Sequence, residues 1–250
     1  MNARSEDFRT LGLLGGMGPG ATADVLTKIV AATPATKDQD HIPILIRCVP
    51  QIPDRTDAVL GAGPSPLDAL VAGARALRDA GADFLAIACN TAHHWYEPVR
   101  AACGVPVLHI ADTVIRELRD LECRAGRVGL LATRGTLRSG FYQQRLIRAG
   151  YVPVVPTERT QTQNIDAGIA ATKAGHLDSA RTLVQSAVGL IRRQGVCSIV
   201  LACTELPVAL GRVDPSAEMI VVDANMALAR ACVRAARADE LASARHEAMR

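Results

Sequence analysis

Two stretches decide the fold: Gly81-Ala82-Asp83-Phe84-Leu85-Ala86-Ile87-Ala88-Cys89-Asn90-Thr91 and Gly195-Val196-Cys197-Ser198-Ile199-Val200-Leu201-Ala202-Cys203-Thr204-Glu205. Each begins at a glycine that ends a helical pattern, runs through an apolar segment of strand length, and finishes at Ala-Cys with a polar residue next. Continuous apolar strands separated by helical patterns belong to parallel sheets covered on both faces. The likeness extends to an earlier strand in each half, Gly12-Leu13-Leu14-Gly15 against Gly129-Leu130-Leu131-Ala132. Two copies are too few for a solenoid. They predict two similar Rossmann-like α/β domains related by pseudo-two-fold symmetry, with a cleft between them.

Working outward, strands are expected at Leu11–Leu14, Ile44–Val49, Phe84–Ala88 and Val105–Leu108, then at Arg127–Leu131, Val152–Val155, Cys197–Ala202 and Met219–Val222. Helices are expected from the glycine-rich turn to Ala32, over Pro66–Ala80, after Cys89, and over Ser139–Ala149, Leu177–Arg193 and Ala224–Ala238. The N-terminal domain then spans 1–110 with 223–250 returning to it as a C-terminal helix, and the second domain spans 111–222. The polar tail from Arg237 onward is expected to fray.

Composition narrows the function. With 250 residues, 49% hydrophobic and 21% charged, the chain is an ordinary globular one with enough length for a substantial core. A net charge of +3 and only 3% aromatic residues provide neither a basic footprint nor a stacking platform for nucleic acid. The apolar runs are strand-sized, too short to span a bilayer. Met1–Thr10 lacks the apolar stretch of a secretory signal, which predicts a cytoplasmic protein. Seven cysteines in that compartment argue against a disulfide framework. Their spacing contains no CxxC pair and no two histidines stand at metal-ligand spacing, so no metal is expected.

Cys89 and Cys203 fall at the carboxyl ends of parallel strands, where ligands of open α/β sheets bind. Each precedes a helix whose N-terminus favours a thiolate. Two thiols facing one carbon from opposite sides suit racemisation, in which one base removes an α-proton and a conjugate acid returns a proton to the other face. A single cysteine here would read as a small buried hydrophobe. Two at equivalent repeat positions favour the catalytic reading, and Cys48, Cys103, Cys123, Cys197 and Cys232 lack that context.

From about Thr10 to Asp223 the chain resembles the aspartate/glutamate racemase superfamily, in particular its aspartate racemase branch. The resemblance rests on Leu14-Gly15-Gly16-Met17-Gly18-Pro19 with Ala21-Thr22, Pro50-Gln51-Ile52-Pro53-Asp54-Arg55-Thr56, Cys89-Asn90-Thr91-Ala92-His93 and Ala202-Cys203-Thr204-Glu205. Leu130-Leu131-Ala132-Thr133 and Lys173-Ala174-Gly175 add to it. It implies an active site between two domains, a small amino-acid substrate, no pyridoxal phosphate or other cofactor, and a homodimer. Cys89 and Cys203 become the acid/base pair, serving the D- and L-enantiomers respectively, and Arg55 and Lys173 hold the substrate carboxylates. Such cations also stabilise carbanion character at the α-carbon. Met17, Gly18 and Thr133 fall on the substrate side by the same resemblance.

Several of these residues have a second reading. Asn90, Thr91 and Thr204 can donate to an α-carboxylate or cap helices. Glu205 can tune Cys203 or receive the substrate ammonium, or be an exposed helix-start glutamate. Arg55, after a Pro-Asp turn, can be a surface charge, and Arg134 can provide a further anion contact. Gly16-x-Gly18-x-x-Ala21 satisfies a loose dinucleotide fingerprint, but Pro19 interrupts it and no acidic residue ends the second strand. Cys48-Val49 stands where relatives carry polar residues, which weakens strict aspartate specificity if that wall faces the ligand. Maleate isomerases and hydantoin racemases share the two-cysteine cleft but bind other substrates; Arg55 with Lys173 argues for a dicarboxylate, aspartate first and glutamate next. A non-catalytic dicarboxylate binder and a redox protein with a Cys89–Cys203 disulfide are the competing classes.

Overall fold

Leu11–Gly15 (β1) is five residues buried without a break, the pattern of a strand covered on both faces. In the computed structural model, which describes residues 8–123, 125–211 and 219–237, β1 turns through Gly16 into helix α1 (Pro19–Ala32), with its proline at the helix start. Gly16 has φ +95°, and a Cβ there would stand 2.3 Å from the Val49 nitrogen. Only glycine allows the turn to lie against that backbone.

β2 (Ile44–Cys48), α2 (Arg55–Leu60), α3 (Leu67–Asp79), β3 (Phe84–Ile87), α4 (Tyr96–Cys103) and α5 (Ile110–Asp120) complete the first half. The sheet order is β2-β1-β3, all parallel, with Leu11 opposite both Ile44 and Phe84. Val105–Leu108, expected as a fourth strand, is reduced to a bridge between Leu85 and Val107. Pro106 accepts from the Leu85 N–H but has no N–H of its own to extend a ladder.

The second half runs β4 (Arg127–Ala132), α6 (Arg134–Ser139), α7 (Phe141–Arg148), β5 (Val152–Val154), α8 (Glu158–Thr160), α9 (Ala167–Lys173), α10 (Leu177–Arg192), β6 (Ser198–Ala202), α11 (Glu205–Leu210), β7 (Ile220–Asp223) and α12 (Ala224–Ala236). Its parallel sheet has the order β5-β4-β6-β7. β3 pairs with β1 as β6 pairs with β4, so the two cysteine-bearing strands hold equivalent places. The helix expected over Ser139–Ala149 begins at Phe141, because Gly140 at φ +72° separates it from α6. A π-helical turn, Gln161–Asp166, joins α8 to α9. The last helix is described to Ala236, and the expected fraying beyond Arg237 lies outside the described residues.

α12 returns to pack against α1 and α5. One cluster of buried side chains runs from Leu11 and Phe84 through Val114, Leu228 and Cys232 to Leu130 and Val200, so the two sheets share a core. Each fully buried leucine there contributes about 1.5–3 kcal/mol of transfer free energy. That common packing fixes the two strand ends relative to each other.

Candidate active site

Beyond β3, the Ala88 N–H still donates to Leu14 (2.9 Å), and Cys89 follows at the mouth of the sheet. Beyond β6, Cys203 occupies the same place. Both thiols line one tight cleft with a free volume of about 20 Å³. Met17, Arg55, Asn90, Thr91, Thr133, Lys173, Thr204 and Glu205 line it with them, as the sequence suggested, and Asp54 and Thr56 join in. Gly18 instead lines an adjoining vestibule of about 470 Å³, which shares Asp54, Arg55, Lys173 and Glu205 with the cleft. Cys48 and Val49 line neither; Cys48 is exposed, and Val49 backs the Gly16 turn.

Arg55 is buried, which overturns the surface-charge reading. Asp54 caps α2 by accepting from the Thr56 and Asp57 N–H groups, and Arg55 follows it into the cleft wall. Its Nη1 donates to the Ile52 and Pro53 carbonyls (both 3.0 Å) and its Nη2 to Met17 (3.3 Å). Three of the five guanidinium N–H groups are thus spent on backbone. Nε is buried with no partner, so a clamped cation retains an unused donor edge of the kind that grips a carboxylate. Lys173, the last residue of α9, is exposed at the mouth. Arg55 and Lys173 both help hold Asp54 below the usual carboxylate range, after its backbone hydrogen bonds have overcome the opposing effect of burial.

Asn90 and Thr204 do not cap helices with their side chains. Asn90 Oδ1 accepts from the Tyr142 hydroxyl at 2.6 Å, leaving Nδ2 buried and unpartnered. Thr91 Oγ1 lies 2.8 Å from Thr133 Oγ1 and 3.0 Å from Thr136 Oγ1, while Thr133 is the residue that caps a helix, α6. Glu205 is buried rather than exposed. Its Oε2 accepts from Cys203 Sγ (3.1 Å) and Thr204 Oγ1 (2.9 Å). Arg134 is no anion contact: it is held by Glu158 and Asp166 at 2.6 Å each and donates to Thr162.

The expectation that helix starts would favour thiolates is not met. Burial pushes both thiols up, because a charged sulfur is poorly solvated there. At Cys89 the Arg55 cation works against that rise. At Cys203 the Glu205 carboxylate adds to it, and the thiol stands well above its ordinary range.

Supporting residues escaped the sequence reading. His93 Nε2 accepts from the Ile110 N–H (3.1 Å), so its Nδ1 carries the proton and donates to the Cys89 carbonyl (2.8 Å). Burial drives this imidazole down to about 4, keeping it neutral. On the other side, Asn225 Nδ2 donates to the Thr204 carbonyl (3.1 Å) and to Asp24 (2.7 Å). Lys28 bridges Asp24 and Asp223. His93 stood within a recognised motif, but nothing local in the sequence marks Asn225 or Tyr142 as a neighbour of the cleft.

The profile of the Asp/Glu/hydantoin racemase family matches residues 14–232. The chain belongs to that family. This family member is 30% identical over 234 residues to the broad specificity amino-acid racemase RacX of Bacillus subtilis, covering 89% of this chain and 96% of that protein. Its structure resembles that of Picrophilus torridus aspartate racemase with a TM-score of 0.80 at 30% identity, over 90% of this chain and 93% of the other. An aspartate racemase homologue from Pyrococcus horikoshii shares the fold, with a TM-score of 0.72 at 24% identity over 94% and 99% of the two chains. The chain is therefore a racemase of the Asp/Glu superfamily with the two-domain parallel α/β fold. Among its described residues no helix is long and apolar enough to cross a membrane.

Proposed function

We propose that this racemase interconverts L- and D-aspartate, with glutamate as the next substrate, without a cofactor, by two-base proton transfer between Cys89 and Cys203. The observation that carries the reading is that the two thiols, from equivalent strand ends, line the same small cleft as the clamped Arg55. The unpartnered Arg55 Nε and Asn90 Nδ2 supply donors for the α-carboxylate, and Lys173 supplies the second cation for a side-chain carboxylate. Glu205 supplies an acceptor for the ammonium. One thiolate removes the α-proton, negative charge develops on the carboxylate against Arg55, and the opposite thiol returns a proton. We further propose the homodimer and the cytoplasm as assembly and location, and 1–110 with 223–250 against 111–222 as the domain division.

A broader amino-acid range is the second reading. It is favoured by the likeness to RacX and by the roomy vestibule beside the cleft, whose wall includes Pro50, Ile52 and Val208. The test is α-proton exchange and loss of optical activity in heavy water, with reductant and no added cofactor, for both enantiomers of aspartate, glutamate and neutral amino acids. Aspartate exchanging fastest supports the first reading, and neutral substrates at comparable rates support the second. Cys89→Ala and Cys203→Ala should each abolish racemisation; full activity in either would remove the two-base mechanism.

A further inference from the structure

The cleft is symmetric in its sulfurs and asymmetric in what stands beside them. Cys203 Sγ donates to Glu205 Oε2 at 3.1 Å, a bond that only the protonated sulfur can make to a carboxylate. Glu205 is itself held by the Thr204 hydroxyl (2.9 Å), and its other oxygen faces Gly18, where a Cβ would lie 3.5 Å away. Cys89 has no carboxylate on it. Its charged neighbour is Arg55, fixed by three backbone carbonyls, and the His93 ring that grips its carbonyl is neutral.

We propose that the two thiols are unequal at rest: Cys203 is kept as the neutral thiol by Glu205, and Cys89 is the one that first gives up its proton beside Arg55. The inference rests on the two-cysteine reading above and adds a direction to it. The free enzyme begins by taking an α-proton at Cys89, and Cys203 delivers its S–H proton to the opposite face of the carbanion. That delivery leaves a Cys203 thiolate against the Glu205 carboxylate. A substrate ammonium at Glu205 offsets the repulsion while ligand is bound. Once product leaves, the pair recovers by a proton passing from Cys89 to Cys203 through water. The enantiomer whose α-hydrogen faces Cys89 therefore meets a ready enzyme, and its mirror image waits for that transfer.

Other groups near the cleft do not cancel the difference. Lys173 favours ionisation at Cys203 more weakly than Glu205 opposes it, and Glu205 opposes ionisation at Cys89 more weakly than Arg55 favours it. Tyr142 is buried and remains un-ionised. The Asp54 carboxylate has its Oδ1 bonded to backbone.

Alkylation measures the order without any turnover. The reduced, folded full chain is treated with iodoacetamide from about pH 6 to about pH 10, and modification of each cysteine is followed by peptide mass spectrometry. Cys89 should be modified at the lower pH. Glu205→Gln should move the Cys203 profile down by about one pH unit or more, an increase of about tenfold in its neutral-pH rate. Glu205→Asp should hold it near the original position. Cys203 ionising first in the unaltered chain, or a Cys203 profile indifferent to Glu205→Gln, overturns the inference. A chain that shows this order but exchanges no α-proton refutes the racemase reading alone, and one that racemises without the order refutes this inference alone.

Discussion

Tyr142→Phe isolates one hydroxyl. The Tyr142 side chain is fully buried, its ring lies 5.1 Å from that of Phe141, and its hydroxyl donates to Asn90 Oδ1 at 2.6 Å. Burial raises that hydroxyl well above its ordinary range, so it remains a donor at every assay pH. Phenylalanine keeps the ring packing and removes the bond, leaving a buried amide oxygen without its donor. Such a loss costs about 1–3 kcal/mol. Taking about 2 kcal/mol, the melting temperature of a chain of this size should fall by roughly 4–8 °C. On the proposed reading a second effect appears, because Asn90 is no longer held with Nδ2 toward the carboxylate. Loss of a hydrogen bond to a charged group is worth about 1.5–3 kcal/mol, so KM should rise about tenfold or more. Thermal melts with steady-state kinetics on Tyr142→Phe, Asn90→Ala and the double variant provide the check. The double variant should cost less than the sum of the singles. A Tyr142→Phe protein with unchanged melting temperature and unchanged KM would refute the reasoning.

Three further outcomes follow from named contacts. Gly16→Ala should destabilise the fold by about 2 kcal/mol or more, since its Cβ would meet Val49 backbone at 2.3 Å and φ is +95°; Gly20→Ala, with nothing within 4 Å, should be neutral or stabilising, and paired melts compare them. His93 titrates at about 4 folded against an ordinary 6.5, so the unfolded chain binds the proton more readily. Stability from this group is full above pH 6.5 and drains as pH falls toward 4, by on the order of 3 kcal/mol. Urea midpoints at about pH 7 and pH 5 should show about 2 kcal/mol of that loss, and His93→Gln should reduce it, leaving the part due to His109, which burial drives down to about 2. Arg134→Ala should leave KM within about twofold and cost no more than about 1 kcal/mol, because its partners Glu158 and Asp166 are structural; a large KM rise would restore it as a substrate contact.

Legibility in the sequence followed the range of the interaction. The cysteine-bearing strands were readable because each announces itself within eleven residues, and the repeat tied the two together. Val105–Leu108 misled because its apolar content suits a strand while Pro106 denies the ladder a donor. α5 could have been read: Ile110, Val114, Ile115 and Leu118 stand at helical spacing and all are buried. The helical run from Glu158 to Lys173 is short-ranged and rich in threonine and glutamine, with little apolar periodicity to reveal it. Arg55 looked like a turn residue because its burial depends on a carbonyl 38 residues away. Arg134 looked available because its acidic partners lie 24 and 32 positions downstream. The Tyr142–Asn90 bond spans 52 residues, and the Asn225–Asp24 bond 201. No local pattern encodes pairings of that reach.

The threonine triangle, the Tyr142–Asn90 bond and the Asn225 bonds to Thr204 and Asp24 all cross between distant parts of the chain beside the two cysteines. They tie the segments beside the two cysteines to the rest of the fold. The vestibule adjoins the cleft past Asp54 and Lys173, and on the proposed reading a ligand of either hand arrives and departs through that same doorway. Two mirror-image molecules of identical size, charge and energy then queue for one entrance. Under the proposed chemistry the enzyme has no spatial means of sorting them, and net flow is set wholly by whatever consumes one hand on the outside.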